Sequence, residues 1–153
     1  MIPSMTTAGE EAQQKALWAT DEITLPGTIS MALYDDSTDQ LDDTADDPSV
    51  LTEPSDGNYG RKTLAIDGSA MGDGSITVSA SGGDWAAALP ALSWDVTDTT
   101  GVVDAYVLVM QVQLDGDGSP AAHIITGGSL GQSYTLDGLD VLNTDAGGGT
   151  LLD

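Results

Sequence analysis

The longest apolar stretch, VVDAYVLVMQVQL, runs from Val102 to Leu114. Read at a period of two, it puts Val103, Ala105, Val107, Val109 and Gln111 on one face. Asp104, Tyr106, Leu108, Met110 and Val112 fall on the other. Both faces are apolar in the middle, so a strand over 102–112 is expected to be covered on both sides. TISMALY, residues 28–34, is β-branched and apolar and reads as a second strand. Shorter runs predict strands at 61–66, 75–81, 92–97, 123–126, 133–139 and 150–152. Turn chemistry separates them: DGSAMGDG, SGGDW, DTTG, DGDGSP, GGSLGQ and NTDAGGG. Short strands between Gly- and Asp-rich turns predict a mainly β chain, an antiparallel β-sandwich of jelly-roll type with about 7–9 strands. Val107, Leu108, Val109, Ile66, Val78 and Trp94 are the expected core.

The pattern departs from strands in two places. Residues 8–19, AGEEAQQKALWA, predict a short N-terminal helix. Thr6 or Thr7 can cap it, Glu10 and Glu11 suit its first turn, and Ala12, Ala16 and Ala19 share one side. Leu17 and Trp18 are expected to anchor it. Residues 35–58, DDSTDQLDDTADDPSVLTEPSDGN, hold eight Asp and no periodicity. That loop reads first as a solvated, mobile insertion and second as a cation-binding or partner-contacting arm. The organisation expected is an arm over residues 1–7, then a single domain over 8–153 carrying the acidic loop.

Length agrees, since 153 residues suit one domain, with or without an arm. Charge changes the picture more. Lys and Arg number 3 against 25 Asp and Glu, giving −22 at pH 7. A basic nucleic-acid surface is excluded, as is attraction to an anionic membrane. No apolar run approaches the ~18 residues of a spanning helix, so no membrane insertion is expected. The absence of Cys removes disulfides, thiolate catalysis and Cys-ligated metals. The acid excess is Asp-dominated, Lys is nearly gone, and the hydrophobic fraction is still 40%. Molar salt shortens the Debye length to ~3 Å and screens the repulsion such a shell creates. The composition therefore points to an extreme halophile or its virus, with an ordinary acidic surface protein as the alternative.

Candidate chemistry is sparse. His123 is the one histidine and reads as structural. Asp115, Asp117 and Ser119 begin like a calcium loop, but Pro120 stands where Gly is needed and Thr126 where a bidentate Glu is needed. A hairpin turn is the better reading. Carboxylate pairs are too abundant to mean anything. Trp85 and Trp94 read as core or interface anchors before sugar platforms. Arg61 is expected in a buried or interfacial carboxylate pair. Leu151 and Leu152 could add to a sheet edge. No catalytic residue, cofactor or metal site is assigned, and an enzyme is not expected.

The order of segments resembles the small tail-fibre-like proteins of tailed double-stranded DNA viruses. The carriers are SMALYDDSTDQ (30–40), GNYGRKTL (57–64), ITVSASGGDWAAALPALSW (76–94), VVDAYVLVMQVQLDGDGSPAAHIITGGSL (102–130) and GQSYTLDGLDVLNTDAGGGTLLD (131–153). Tyr34, Tyr59, Arg61, Asp84 and Trp85 hold most of the likeness, while Gly60 and VLVMQVQ depart from the family's usual Ala and Gly-containing core. The resemblance implies a structural virion protein of a haloarchaeal tailed virus, a tail-fibre, baseplate or capsid-decoration component on the outer surface of the particle. Its implied partners are further copies of itself, other virion proteins and the host cell surface. Residues 1–7 and 147–153 are the segments expected to reach a neighbouring subunit. The alternative is a haloarchaeal cell-surface or secreted carbohydrate-binding β-sandwich module. The start, Met1–Thr7, shows no basic and apolar leader, which weighs against it.

Overall fold

A computed structural model describes residues 4–66, 72–81 and 84–145, with the side chains of 81 and 84–86 excepted. The described chain is mainly strands with one short helix at its start. Helix α1 spans Thr7–Trp18, and α2 is a single turn at Asp36–Asp39. The strands are β1 (Thr28–Tyr34), β2 (Lys62–Ala65), β3 (Gly74–Ser75), β4 (Thr77–Ser81), β5 (Asp84–Ala88), β6 (Leu92–Asp95), β7 (Val102–Val112), β8 (Ala121–Thr135) and β9 (Val141–Thr144). A five-stranded sheet has the order β3-β2-β1-β7-β8, antiparallel except for the β2–β3 pair. Two ribbons, β4–β5 and β6–β9, complete the set.

The alternation of β1 and β7 sends apolar side chains to both faces of the main sheet. Met31, Leu33, Leu64, Tyr106, Leu108 and Met110 lie on the side of Leu92, Trp94, Val96 and Leu142 from the β6–β9 region, and of Ala8 and Ala12 from α1. Ala32, Tyr34, Ala105, Val107 and Val109 form a second, smaller core. Val103 joins the first side rather than that of Ala105, because a register shift between the two residues breaks the alternation. The second core is closed by Leu41, Ala45 and Leu51 of the acidic loop. That loop is therefore built into the molecule rather than hung on it as a solvated insertion.

Asp residues shape the loop locally. Asp35, Asp42 and Asp47 each accept the N–H of the Ser or Thr two residues on, at 3.1, 2.9 and 2.9 Å. These short side chains replace missing backbone partners in irregular chain. Asp46 ties three elements together: its carboxylate takes the Ala8 N–H at the start of α1, and its carbonyl takes the Ile124 N–H of β8.

Several expectations change. Leu17 and Trp18 do not anchor α1; they are 59% and 80% exposed. The helix buries its small face instead, Ala8, Gly9 and Ala12, because its backbone lies almost against the Ile125 carbonyl. Val78 is exposed and Ile66 half-buried, while Val107, Leu108, Val109 and Trp94 are buried as expected. The runs 123–126 and 133–139 belong to one long strand, β8, that ends at Thr135. The expected arm is docked over residues 4–6. Thr6 is buried, its N–H donates to the Ile125 carbonyl at 3.0 Å, its hydroxyl donates to the Ile124 carbonyl, and the Thr126 hydroxyl donates to the Ser4 carbonyl. Residues 1–3, the C-terminal segment 147–153 and the strand expected at 150–152 lie outside the described residues.

Candidate functional site

Two places stand out: a network at the start of β2, and the open end of α1 beside a groove. At the first, β2 stops pairing with β1 at Lys62, opposite Met31. The buried Leu33 N–H therefore needs another partner, and the Tyr59 hydroxyl accepts it at 2.9 Å. That hydroxyl donates onward to Glu53 at 2.8 Å, and Glu53 takes a forked pair of hydrogen bonds from Arg61. The Tyr59 ring stacks on Trp94 with centroids 5.9 Å apart, and Lys62 Nζ lies 5.7 Å from the Trp94 ring centroid. Burial, then the Glu53 charge, push the Tyr59 hydroxyl well above the ordinary tyrosine range. The Arg61 pair is at the surface rather than buried, since Arg61 is exposed. Tyr34, the other tyrosine in the resemblance, is buried and donates to Asp36 at 3.0 Å. These residues hold strands and loops together.

At the second place, Lys15 leaves the last turns of α1 and reaches Glu11 at 2.9 Å and Asp115 at 2.6 Å. The Asp115 N–H donates back to Glu11 at 2.7 Å, so the helix is fastened to the β7–β8 hairpin. Hydrogen bonds to Asp115 and then Glu11 hold the Lys15 ammonium well above its ordinary value. Within the hairpin, Asp117 accepts the Leu114 N–H at 2.8 Å and pairs with His123 Nε2 at 2.7 Å. The backbone bond and then His123 hold the Asp117 carboxyl below the usual range. The run 113–120 is thus a closed hairpin tip, as its sequence suggested, and His123 is its latch. Between this tip and residues 21–26 lies a groove of about 670 Å³ lined by Ile23, Leu25, Pro26, Gln113 and Lys15. Leu17 and Trp18 stand exposed at the end of the helix, outside the groove's lining, and Leu25 is half open.

Among the described residues, no group of three or more acidic or His side chains converges as a metal site. Within the loop, Asp35, Asp42 and Asp47 are engaged as turn caps. Trp94 is in the core and its indole N–H meets Thr144 at 3.3 Å, so it offers no face to a sugar. The Trp85 side chain lies outside the described set. The exposed tryptophan that sequence reasoning missed as a surface feature is Trp18. Its signal was available in Gly9: a helix that docks through Ala and Gly turns its large residues outward. No helix among the described residues is long and apolar enough to cross a membrane. No protein-family model, curated protein or solved structure matches the chain.

Proposed function

We propose that this chain is a structural virion protein of a haloarchaeal tailed virus, an assembling tail-fibre, baseplate or capsid-decoration component. The observation that carries the reading is Trp18, 80% exposed beside exposed Leu17 in a molecule of charge −22. An apolar pair left open on such a surface suits contact with another protein. The order of segments shared with small tail-fibre-like proteins supports it, and Tyr34, Tyr59 and Arg61 of that likeness hold strands to loops. The proposed architecture is a β-sandwich, with the main sheet as one layer and β6–β9 with its flanking segments as the other. Mass spectrometry of purified particles tests the reading, together with light scattering of the isolated chain in about 3 M salt, where charges are screened. The expected results are the protein in particles and an oligomer in solution. Absence from particles together with a monomer in salt would remove the proposal.

Trp18 also favours a second reading, a carbohydrate-binding module with its open indole as a platform. Fluorescence titration with haloarchaeal surface polysaccharide separates the two. Saturable quenching that Trp18→Ala abolishes would favour sugar binding.

A further inference from the structure

We propose that the unit of residues 4–18 is exchanged between two copies of this chain, so that α1 of each lies on β8 of the other and the connector 19–27 is the hinge. This deepens the assembly reading above, rests on it, and names the partner as a second copy. The unit is tied to β8, to the β7–β8 hairpin tip and to the acidic loop. Thr6 and Ser4 bond Ile124, Ile125 and Thr126, and Lys15 reaches Asp115. The Thr7 N–H donates to the Asp43 carbonyl at 2.8 Å, and the Ala8 N–H donates to Asp46 at 3.2 Å. Gly9 seats α1 against the Ile125 carbonyl. None of these bonds is to β1, the strand that follows the unit in the chain, so each forms equally well with β8 and the loop of a second copy.

The connector is built to open. It runs from Ala19 to Gly27, between Trp18 and β1, and an extended chain of that length spans up to ~30 Å. It faces the hairpin tip across the groove of about 670 Å³, with Thr20, Asp21, Glu22, Thr24 and Leu25 exposed and Ile23 packed against the core. The Glu22 N–H donates to the Ala19 carbonyl and closes a turn at its start. Straightening 19–22 breaks that bond and leaves the Gly27 carbonyl on the Ile66 N–H. Exposed apolar side chains stand at both ends of this hinge. Leu17 and Trp18 close α1 at 59% and 80% exposure, and Leu25 follows at 46%. Around a two-fold axis the two straightened connectors run antiparallel, so Leu17 and Trp18 of one copy meet Leu25 of the other. A single chain leaves all three open to water. The cover is apolar, so it persists in the molar salt that screens charge.

The test uses the full chain in about 3 M NaCl, where general repulsion is screened. Light scattering over a concentration series is compared for wild type and Trp18→Asp. Because the chain has no Cys, single-Cys variants report which copy each helix touches. Thr7→Cys and Asp43→Cys chains, substituted at exposed positions, are unfolded, refolded as a mixture and treated with a short bismaleimide. A mixture of Thr7→Cys with Val50→Cys, exposed elsewhere in the acidic loop, is the control. Mixed dimers are identified by mass. The expected results are a wild-type oligomer, mixed dimers of the Thr7→Cys and Asp43→Cys chains at least tenfold above the control, and dissociation at least tenfold easier for Trp18→Asp. A wild-type oligomer whose mixed dimers do not exceed the control overturns the exchange and keeps the assembly reading. Mixed dimers above the control, with a Trp18→Asp oligomer as tight as wild type, overturn the hinge cover. A wild type that stays monomeric overturns both the exchange and the assembly reading.

Discussion

At the scale of single residues, stability turns on close approaches rather than on large side chains. Gly9 is the clearest case. Helix propensity alone makes Gly→Ala in a helix favourable by up to ~1 kcal/mol. A Cβ at Gly9 would instead run into the Ile125 carbonyl, a backbone atom that cannot turn away. Gly9→Ala should therefore destabilise by about 1–3 kcal/mol, read from urea or thermal unfolding in high salt, and a stabilised variant would show that α1 does not sit where described. Tyr59 makes a different point. Its hydroxyl is the acceptor for the buried Leu33 N–H, where β2 has ended. Tyr59→Phe keeps the stack on Trp94 but leaves that donor unsatisfied, with an expected loss of about 1–3 kcal/mol. Arg61→Ala, which touches only the exposed end of the network, should cost under ~1 kcal/mol. Equal losses for the two would contradict this ordering.

At the scale of elements, the acidic loop behaves as a lid. Leu41 is buried, with Ala45 and Leu51 beside it over Ala32, Tyr34 and Val107. Leu41→Ala should cost ~2–4 kcal/mol, as for other buried leucines, whereas a mobile insertion would tolerate it freely; unfolding curves of the two chains decide. The sequence hid this lid because its few apolar residues lie among eight Asp with no period. The bounds of β1 and β7 were legible to the residue, since each is an unbroken apolar run, but the slip between Val103 and Ala105 that moves Val103 to the other face was not. β8 was not, because Gly127, Gly128 and Gly131 look like turn punctuation. Gly128 is in fact opposite Tyr106, whose ring occupies the space a side chain would take. Gly131, at φ 85°, marks the stretch where the register slips between Ser129 and Tyr134. β5 was missed because DWAAA carries no β-branched residue. Of the surface, the sequence revealed the hairpin at 113–120 but not the exposed helix end, which depends on which face of α1 docks.

At the scale of the whole molecule, two electrostatic effects oppose each other as pH falls, and salt separates them. All three basic side chains are already engaged, Lys15 with Glu11 and Asp115, Arg61 with Glu53, and Lys62 with Asp73 at 3.8 Å. The remaining carboxylates repel one another, which disfavours the compact state in dilute salt. Yet the carboxyls of Asp35, Asp47, Asp56 and Asp95 are held below their ordinary value, chiefly by hydrogen bonds from Ser37, Ser49, Thr100 and Thr97. A group whose folded pKa is depressed contributes stability that is present above the unfolded value, ~3.9 for Asp, and lost as pH falls through the folded one. In about 3 M NaCl, with repulsion screened, the melting temperature should be flat from neutral pH to about 5 and fall below about 4. In about 0.1 M NaCl it should start lower at neutral pH, because the full charge is unscreened. It should then rise on mild acidification as carboxylates are neutralised, before the loss of the Asp caps turns it down. Calorimetric melts across pH at both salt concentrations measure this. A neutral-pH melting temperature that is the same in both salts would mean that the charge of −22 does not govern stability, and the halophilic reading would fall with it.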